Sequence, residues 1–262
     1  MHTDQVTELL REVAADVIMP RFGQLAPDEI DTKNPGDLVT IADKEAEIVI
    51  AARLAAAYPS AVIVGEEAAF AQPDVVERLP GAEHAWVIDP VDGTNNFARG
   101  SDLFGVMLAE LRGGETVRAW IFQPVNGQMF VAERGAGVWQ NGSRVPPRAG
   151  TSIPPRGYVP CRYRRQPVPG FDLLHTSGAC AVDYPRLVTG DIDLIVYHHW
   201  RAWDHAAGSL MVTEVGGHVA MHPGVPWRVG MAGSALVVAS SREVWHAADV
   251  AFVTPVAQRV GM

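Results

Sequence analysis

The chain has 262 residues, 48% of them hydrophobic and 19% charged, and its formal net charge at pH 7 is −9. This composition is typical of a globular protein with a large core and excludes a disordered chain. The acidic balance argues against nucleic acid or an anionic membrane surface as a partner, although bound metal ions can reverse the field locally for an anionic substrate.

Targeting signals are not apparent in the sequence. No apolar run approaches the ~20 residues of a membrane span. The first twenty residues are acidic and amphipathic, unlike a signal peptide, and the two cysteines, Cys161 and Cys180, do not make a disulfide framework. We therefore expect a cytoplasmic protein with no membrane partner.

Two helices are predicted in the first quarter of the chain. Apolar residues recur at helical spacing from Val6 to Val17, which predicts a helix ending near Pro20. A polar loop is expected to follow through Gly36. A second helix is predicted from Ala42 to Leu54, ending near Tyr58-Pro59.

Two short buried strands are predicted next, at Ala61–Val64 and Ala85–Ile88. Each runs directly into an acidic motif, and strand ends are the usual place for active sites in α/β proteins. After them, turn-forming residues separate three strands of a β-meander, at 104–111, 116–122 and 128–132.

The second half alternates between helix and strand. The segment from Arg144 to Phe171 is rich in Pro, Arg and Gly, and no element can be predicted in it. The elements predicted beyond it are a helix at Gly178–Val188, a strand at Asp193–Tyr197, a helix at Trp203–Val215 closed by Gly216-Gly217, strands at Val219 and Leu236–Ala239, and a last helix from Arg242. The alternation predicts an α/β fold.

The most informative stretch is Asp89-Pro90-Val91-Asp92-Gly93-Thr94. Pro90 stiffens the turn that leaves the strand, so two carboxylates are held on one short loop. Gly93 lets the backbone approach a ligand closely, and the amides of Gly93 and Thr94 can meet an anion. Carboxylates for cations beside amides for an anion indicate a metal-dependent phosphate site.

Four acidic segments together resemble the inositol monophosphatase family of Mg²⁺-dependent, lithium-sensitive phosphatases. They occur in the order and at the spacing of that family over nearly the whole chain. The segments are Gly36-Asp37-Leu38-Val39-Thr40 with Asp43, Gly65-Glu66-Glu67, Asp89 to Thr94 continuing through Asn95-Asn96-Phe97, and Trp203-Asp204 through Glu214-Val215-Gly216-Gly217.

The resemblance implies a metal site. Glu66, Asp89 and the Val91 carbonyl would hold a first Mg²⁺ ion, and Asp89 would bridge to a second ion held also by Asp92 and Asp204. A third ion would lie near Glu66, so two or three ions are expected. Clustered ionised carboxylates make sense mainly if divalent cations offset their repulsion.

The resemblance also implies catalytic and substrate-binding roles. Asp43, Thr94 and Glu66 are the expected catalytic residues, with the Thr94–Asp43 pair orienting and deprotonating the water that attacks phosphorus. The residues expected to contact substrate are Asp92, Gly93, Thr94, Gly178, Ala179, Cys180, Tyr197 and Asp204.

The fold implied by the resemblance is the layered αβαβα sandwich of the inositol monophosphatase and fructose-1,6-bisphosphatase type. We expect one domain over residues 1–262, with a metal-site half at about 1–145 and a C-terminal half at about 146–262. The segment 150–171, which in the family helps form the dimer and the substrate pocket, is shorter here. A homodimer is nevertheless expected.

The implied activity is Mg²⁺-dependent hydrolysis of a small phosphorylated metabolite. Inositol monophosphate is the default substrate, and the alternatives are histidinol phosphate, fructose 1,6-bisphosphate and 3′-phosphoadenosine 5′-phosphate. The rival from another class is a non-catalytic regulatory or binding protein on the same fold, but the intact acid set and Thr94 argue against it.

Several acidic, basic and thiol side chains near these motifs allow a second interpretation. Asp37 is favoured as a cap or turn residue, whereas Glu67 either supports the metal ligands or is merely exposed. A small buried thiol is the default interpretation of Cys180. The basic cluster Arg162, Arg164 and Arg165 is favoured as a solvated loop over a site for a second anionic group.

The histidines also have two interpretations. His218 and His222 have the i, i+4 spacing of a helical zinc site, but the preceding glycine pair favours a strand and a turn. For His198, His199 and His205, packing or support of neighbouring residues is favoured over substrate contact.

Overall fold

The computed structural model describes residues 1–148, 150–160 and 167–255. In these ranges the α-helices are α1 (Thr3–Val13), α2 (Ile41–Ala57), α3 (Glu66–Ala71), α4 (Thr94–Ala98), α5 (Cys180–Thr189), α6 (Ala202–Glu214) and α7 (Arg242–Ala248). The strands are β1 (Ile30–Asn34), β2 (Asp37–Thr40), β3 (Val62–Gly65), β4 (His84–Asp92), β5 (Gly105–Arg112), β6 (Glu115–Gln123), β7 (Gln128–Glu133), β8 (Gly137–Gln140), β9 (Ser143–Arg144), β10 (Arg156–Tyr158), β11 (Asp172–Leu174), β12 (Leu194–Tyr197), β13 (His218–Met221), β14 (Val225–Pro226) and β15 (Leu236–Ala239).

The strands form two large sheets and a separate hairpin. One sheet has the order β3-β4-β5-β6-β7-β8-β9, the other β11-β10-β12-β15-β13-β14, and β1 pairs with β2. In the first sheet only the β3–β4 pair is parallel. From β4 to β9, each strand pairs in antiparallel direction with the strand that follows it in the chain. The predicted meander is therefore confirmed and is longer than expected.

Helices cover both faces of the first sheet because its central strands are apolar on both sides. Trp86 and Ile88 of β4 pack with residues of α1 and α2. Val87 of the same strand belongs to the core on the opposite face, which contains α5 and α6. This alternation follows from the two-residue period of a strand.

The second sheet adds the remaining layers. Ile195 and Leu236 pack in the same core as α5 and α6, whereas Val196 and Val237 face α7 through Trp245. The layers therefore run helix, sheet, helix, sheet, helix, which confirms the predicted αβαβα sandwich. In the part of the chain described, no helix combines the length and apolar character that crossing a bilayer requires.

Several local predictions need correction. The predicted polar loop through Gly36 contains a 3₁₀ turn at Pro27–Glu29 and strand β1, which forms a hairpin with β2 directly after Gly36. Strand β1 is polar and mostly exposed, so it lacks the apolar alternation that marks a strand. Helix α5 begins at Cys180 rather than Gly178, because Gly178 has a positive φ of 80°.

Candidate active site

Two parallel strands bring the first acidic residues to the same edge of the sheet. Gly65, the last residue of β3, pairs with Ile88 of β4. Glu66 and Asp89 come directly after this pair, and the carboxyl ends of parallel strands meet at one edge. Lys33, Asp43 and Asp204, which are distant in sequence, also converge on this edge.

A bulge in β4 turns Asp89 and Asp92 toward the same side. Residues three apart on a regular strand point to opposite faces. Here Asp89 pairs with Met107 and Asp92 with Gly105, so the register shifts by one residue between them. Because residues 107 and 105 are two apart and share a face, the extra residue brings the two carboxylates together.

Asp204 completes a triad of carboxylates. It lies in the first turn of α6, where its charge interacts favourably with the helix dipole. One oxygen from each of Asp89, Asp92 and Asp204 lies within 4.8 Å of the others. This spacing suits hard divalent cations, which prefer carboxylate oxygens.

The chemistry of these carboxylates fits a bound cation. Oδ1 of Asp89 is buried and lacks a hydrogen-bond partner within the described ranges. Burial, followed by repulsion from Glu66 and Asp92, raises the pKa of Asp89 well above its ordinary value. A buried acid with an unpaired oxygen is costly unless a cation offsets it, so these residues fit a metal ion.

Glu66 adds a fourth carboxylate at the same cavity. Burial raises its pKa to about 7, although Lys33 partly opposes the shift. The cavity, of about 130 Å³, is lined by Asp37, Leu38, Glu66, Asp89, Val91, Asp92, Gly93, Thr94, Asn95, Gly178 and Asp204. The structure therefore brings together every residue predicted as a metal ligand.

Thr94 and Asp43 meet as expected. The Thr94 Oγ1 lies 2.9 Å from Oδ1 of Asp43 and 3.0 Å from the Val91 carbonyl oxygen. The other carboxylate oxygen of Asp43 accepts bonds from the Thr40 amide and hydroxyl at 2.9 and 2.5 Å, in a capping box of α2. Burial raises the pKa of Asp43 to about 6.

Gly93 positions the turn between Asp92 and Thr94. Its φ is 88°, in the left-handed region that favours glycine. An added Cβ would lie 2.8 Å from the Cβ of Ala179 and 2.9 Å from the Leu103 carbonyl oxygen. The turn is thus closely packed against the segment that precedes α5.

A larger cavity of about 430 Å³ adjoins the acidic one and shares Asp92, Gly178 and Asp204 with it. The predicted substrate contacts Ala179, Cys180 and Tyr197 line this larger cavity. The start of α5 also holds Asp92, since the Ala181 amide donates to its Oδ2 at 2.6 Å. All residues predicted to contact substrate therefore lie at the two cavities.

Lys33 is a site residue that the sequence analysis missed. Its Nζ lies 2.9 Å from Oε1 of Glu66 and 2.6 Å from Oε1 of Glu67. Of the two alternatives for Glu67, support of the neighbouring ligand is therefore favoured over simple exposure. The only signal in the sequence was a lysine four residues before Asp37, in a segment taken as a loop.

Arg201 was missed as well. It precedes α6, and its guanidinium nitrogens lie 3.9 Å from Glu66 Oε1 and from Asp37 Oδ2. Asp37 itself begins β2 directly after the hairpin turn, which agrees with the turn interpretation, and it also lines the acidic cavity.

His205, His218 and His222 agree with the favoured interpretations, whereas His198 and His199 line the larger cavity, where His199 Nδ1 lies 3.2 Å from Asp204 Oδ2. His205 is buried between the Tyr184 hydroxyl at 3.0 Å and the His199 carbonyl at 2.9 Å, and burial lowers its pKa to about 4. His218 lies in β13, and His222 follows that strand and pairs with Asp249 at 2.8 Å.

Two further predictions concern the thiol and the basic cluster. Cys180 is buried, as expected. The cluster of Arg162, Arg164 and Arg165 lies outside the described residues, together with Cys161.

Fold and site together define a class. Carboxylates that suit divalent cations, next to a cavity large enough for a small metabolite, define a metal-dependent enzyme of a small substrate rather than a structural protein. The comparisons with known proteins agree. A family model described as the inositol monophosphatase family matches residues 2–254.

Individual relatives point to the same family. An inositol-1-monophosphatase of Rhizobium meliloti is 32% identical over 212 residues, which cover 75% of this chain and 76% of that protein. The Nus factor SuhB of Pseudomonas aeruginosa is 32% identical over 223 residues, covering 79% and 80%. The chain therefore belongs to the inositol monophosphatase family.

A solved structure supports the fold. The IMPase of Thermotoga maritima superposes with a TM-score of 0.80, covering 98% of both chains at 24% identity. At this identity the likeness concerns the fold alone.

Proposed function

We propose that this chain is a Mg²⁺-dependent phosphomonoesterase of small phosphorylated metabolites. The observation that supports this most directly is the cluster of Asp89, Asp92 and Asp204 oxygens within 4.8 Å, around a buried Asp89 oxygen without a partner in the described segments. A purely structural role would leave the buried Asp89 carboxylate, beside two other acids, without a compensating charge.

The proposed ligands are those predicted from the sequence. Glu66, Asp89, the Val91 carbonyl, Asp92 and Asp204 would hold two or three ions. When bound, such ions polarise the phosphoryl group and make water a better nucleophile. In this proposal Glu66 also helps to orient the attacking water.

Thr94 and Asp43 would position the attacking water and take its proton. The Thr94 hydroxyl donates to Asp43 Oδ1, which leaves the lone pairs of Thr94 Oγ1 available to accept a bond from water. As water attacks phosphorus, its proton would pass to Thr94 Oγ1 and the Thr94 proton to Asp43. The raised pKa of Asp43, about 6, suits a general base near neutral pH.

The substrate would lie across the two cavities. Its phosphate would accept bonds from the amides of Gly93 and Thr94, and its alcohol portion would extend past Gly178 toward Cys180 and Tyr197. Inositol monophosphate is the default substrate. Histidinol phosphate, fructose 1,6-bisphosphate and 3′-phosphoadenosine 5′-phosphate remain the alternatives. We further propose a cytoplasmic homodimer, which sedimentation equilibrium would test.

A regulatory function is the second candidate. A relative named as a Nus factor, at 32% identity, favours this alternative. The full carboxylate set together with the Thr94–Asp43 pair favours the enzyme, because a binding function alone does not need a paired hydroxyl and base beside that set.

Phosphate release with and without Mg²⁺ across the four substrates separates the candidates. Turnover that EDTA abolishes, and that Asp92→Asn reduces by several orders of magnitude in a folded protein, supports the phosphatase. Absence of turnover on the whole panel would favour the regulatory alternative.

A further inference from the structure

A lysine ammonium group lies inside the acidic site. The Lys33 side chain is 2% exposed, and its Nζ contacts Oε1 of Glu66 at 2.9 Å and Oε1 of Glu67 at 2.6 Å. The ring of Phe70 lies 5.8 Å from the same nitrogen. A buried ammonium group is stable only when it is paired in this way.

The position of Lys33 is fixed by the hairpin that the sequence analysis missed. Strand β1 pairs with β2 on both sides of Lys33, at Thr32 and at Asn34, and Lys33 itself occupies the register shift between them. The Asn95 side chain donates to the Gly36 carbonyl at 2.9 Å, which ties the hairpin turn to the loop of the carboxylates. The paired residues on either side therefore hold Lys33 at the site, in addition to the charge contacts of its ammonium group.

Glu66 consequently has two competing partners. Its Oε1 accepts a bond from Lys33, while the same carboxylate is a proposed metal ligand. An oxygen that shares its electron pairs with an ammonium group binds a divalent cation less strongly. The ammonium charge of Lys33 also repels a divalent cation nearby, and this repulsion is stronger in a partly buried site than in water.

We propose that Lys33 is a built-in competitor of the divalent ions at Glu66, and that it limits the affinity of the acidic site for Mg²⁺. This inference rests on the proposed metal site. Its consequence is weak, readily reversible Mg²⁺ binding, so that occupancy of the site follows the free Mg²⁺ concentration.

Calorimetric titration of Mg²⁺ into the metal-free protein tests this directly. Lys33→Met should bind Mg²⁺ with a dissociation constant lower by about tenfold or more, or should bind one further ion per chain. Lys44→Met is the matched control, because Lys44 pairs with Asp31, is 44% exposed, and should shift the constant by less than about twofold. Lys33→Arg keeps the charge and should resemble the wild type.

A double variant separates direct competition from loss of charge. Lys33→Met combined with Glu67→Gln leaves the net charge unchanged but still frees Glu66, so tighter binding should persist. The Glu67→Gln change also removes the carboxylate that Lys33→Met would leave unpaired. The double variant should therefore fold even if the single variant is unstable, and circular dichroism verifies the fold.

Failure of the proposed metal site can be distinguished from failure of the proposed competition by Lys33. A wild-type protein that binds no Mg²⁺ would overturn the metal site and with it the proposed function. If the wild type binds Mg²⁺ but folded Lys33→Met and the double variant bind it equally or more weakly, only the competition is wrong.

Discussion

Replacing Thr94 by valine isolates the proposed proton acceptor from the rest of the site. Valine has nearly the same shape, so the change removes the hydroxyl and leaves packing intact. The bond to Asp43 at 2.9 Å is lost. Asp43 keeps the two bonds from Thr40, at 2.9 and 2.5 Å, which still hold the carboxylate in place.

The expected effects on stability and on rate differ in size. Loss of one hydrogen bond to a charged group costs about 1.5–3 kcal/mol of unfolding free energy. Loss of a positioned acid–base group lowers the rate by about 10²–10⁴-fold, which corresponds to about 3–5 kcal/mol of activation free energy. Turnover should therefore fall far more than the population of folded protein.

Thr40→Val is the matched control for this prediction. Thr40 also donates to Asp43, and its hydroxyl accepts a bond from the Ala42 amide at 3.2 Å as the cap of α2. Its loss removes a bond to the same carboxylate as well as the cap, so it should cost at least about 1.5–3 kcal/mol of stability, but it should leave turnover within about tenfold of the wild type, since the Thr94–Asp43 pair remains.

The assay is Mg²⁺-dependent phosphate release, measured with urea unfolding on the same samples. Thr94→Ser retains a hydroxyl and should preserve most of the turnover. The proposed role of Thr94 is wrong if Thr94→Val keeps more than about a tenth of wild-type turnover, or if Thr40→Val is as inactive as Thr94→Val.

Three further predictions concern the metal site and the loop. Asp204→Asn should reduce turnover by several orders of magnitude while the fold is retained by circular dichroism; near wild-type turnover would contradict its role as a ligand. In EDTA the melting temperature should fall between about pH 4 and pH 7, because burial raises the pKa of Asp43 to about 6 and that of Glu66 to about 7. The folded protein then holds protons that the unfolded chain, with carboxyl pKa values near 4, has released, so stability present below pH 4 is lost as the pH rises through 7. Saturating Mg²⁺ should flatten this curve, and a rise with pH in EDTA would refute the argument. Gly93→Ala should cost about 2–3 kcal/mol in a urea melt, because its φ is 88° and an added Cβ would lie 2.8 Å from the Cβ of the alanine that precedes α5. Gly36→Ala, with a φ of 85° and open space around it, should cost only about 1 kcal/mol, and equal costs for the two would show that the close contact is unimportant.

The predictable parts of the fold are those with a strong local pattern. Strands β3 and β4 were predicted because they are continuous apolar runs, and such runs arise when helices cover both faces of a sheet. The β1–β2 hairpin was missed because β1 is polar and mostly exposed. Lys33, which lies in β1, could not be predicted as a site residue for the same reason.

The candidate site is likewise divided between features that the sequence predicts and features that only the tertiary structure shows. The sequence determined the ligand types and the family, since Pro90, Gly93 and the acidic motifs act within a few residues through fixed φ angles and ligand chemistry. Only the tertiary structure decided that a bulge brings Asp89 and Asp92 to one side, that burial raises the pKa of Asp89, and that Lys33 pairs with Glu66. Burial and charge pairing depend on segments that are far apart in the chain, so no local pattern encodes them.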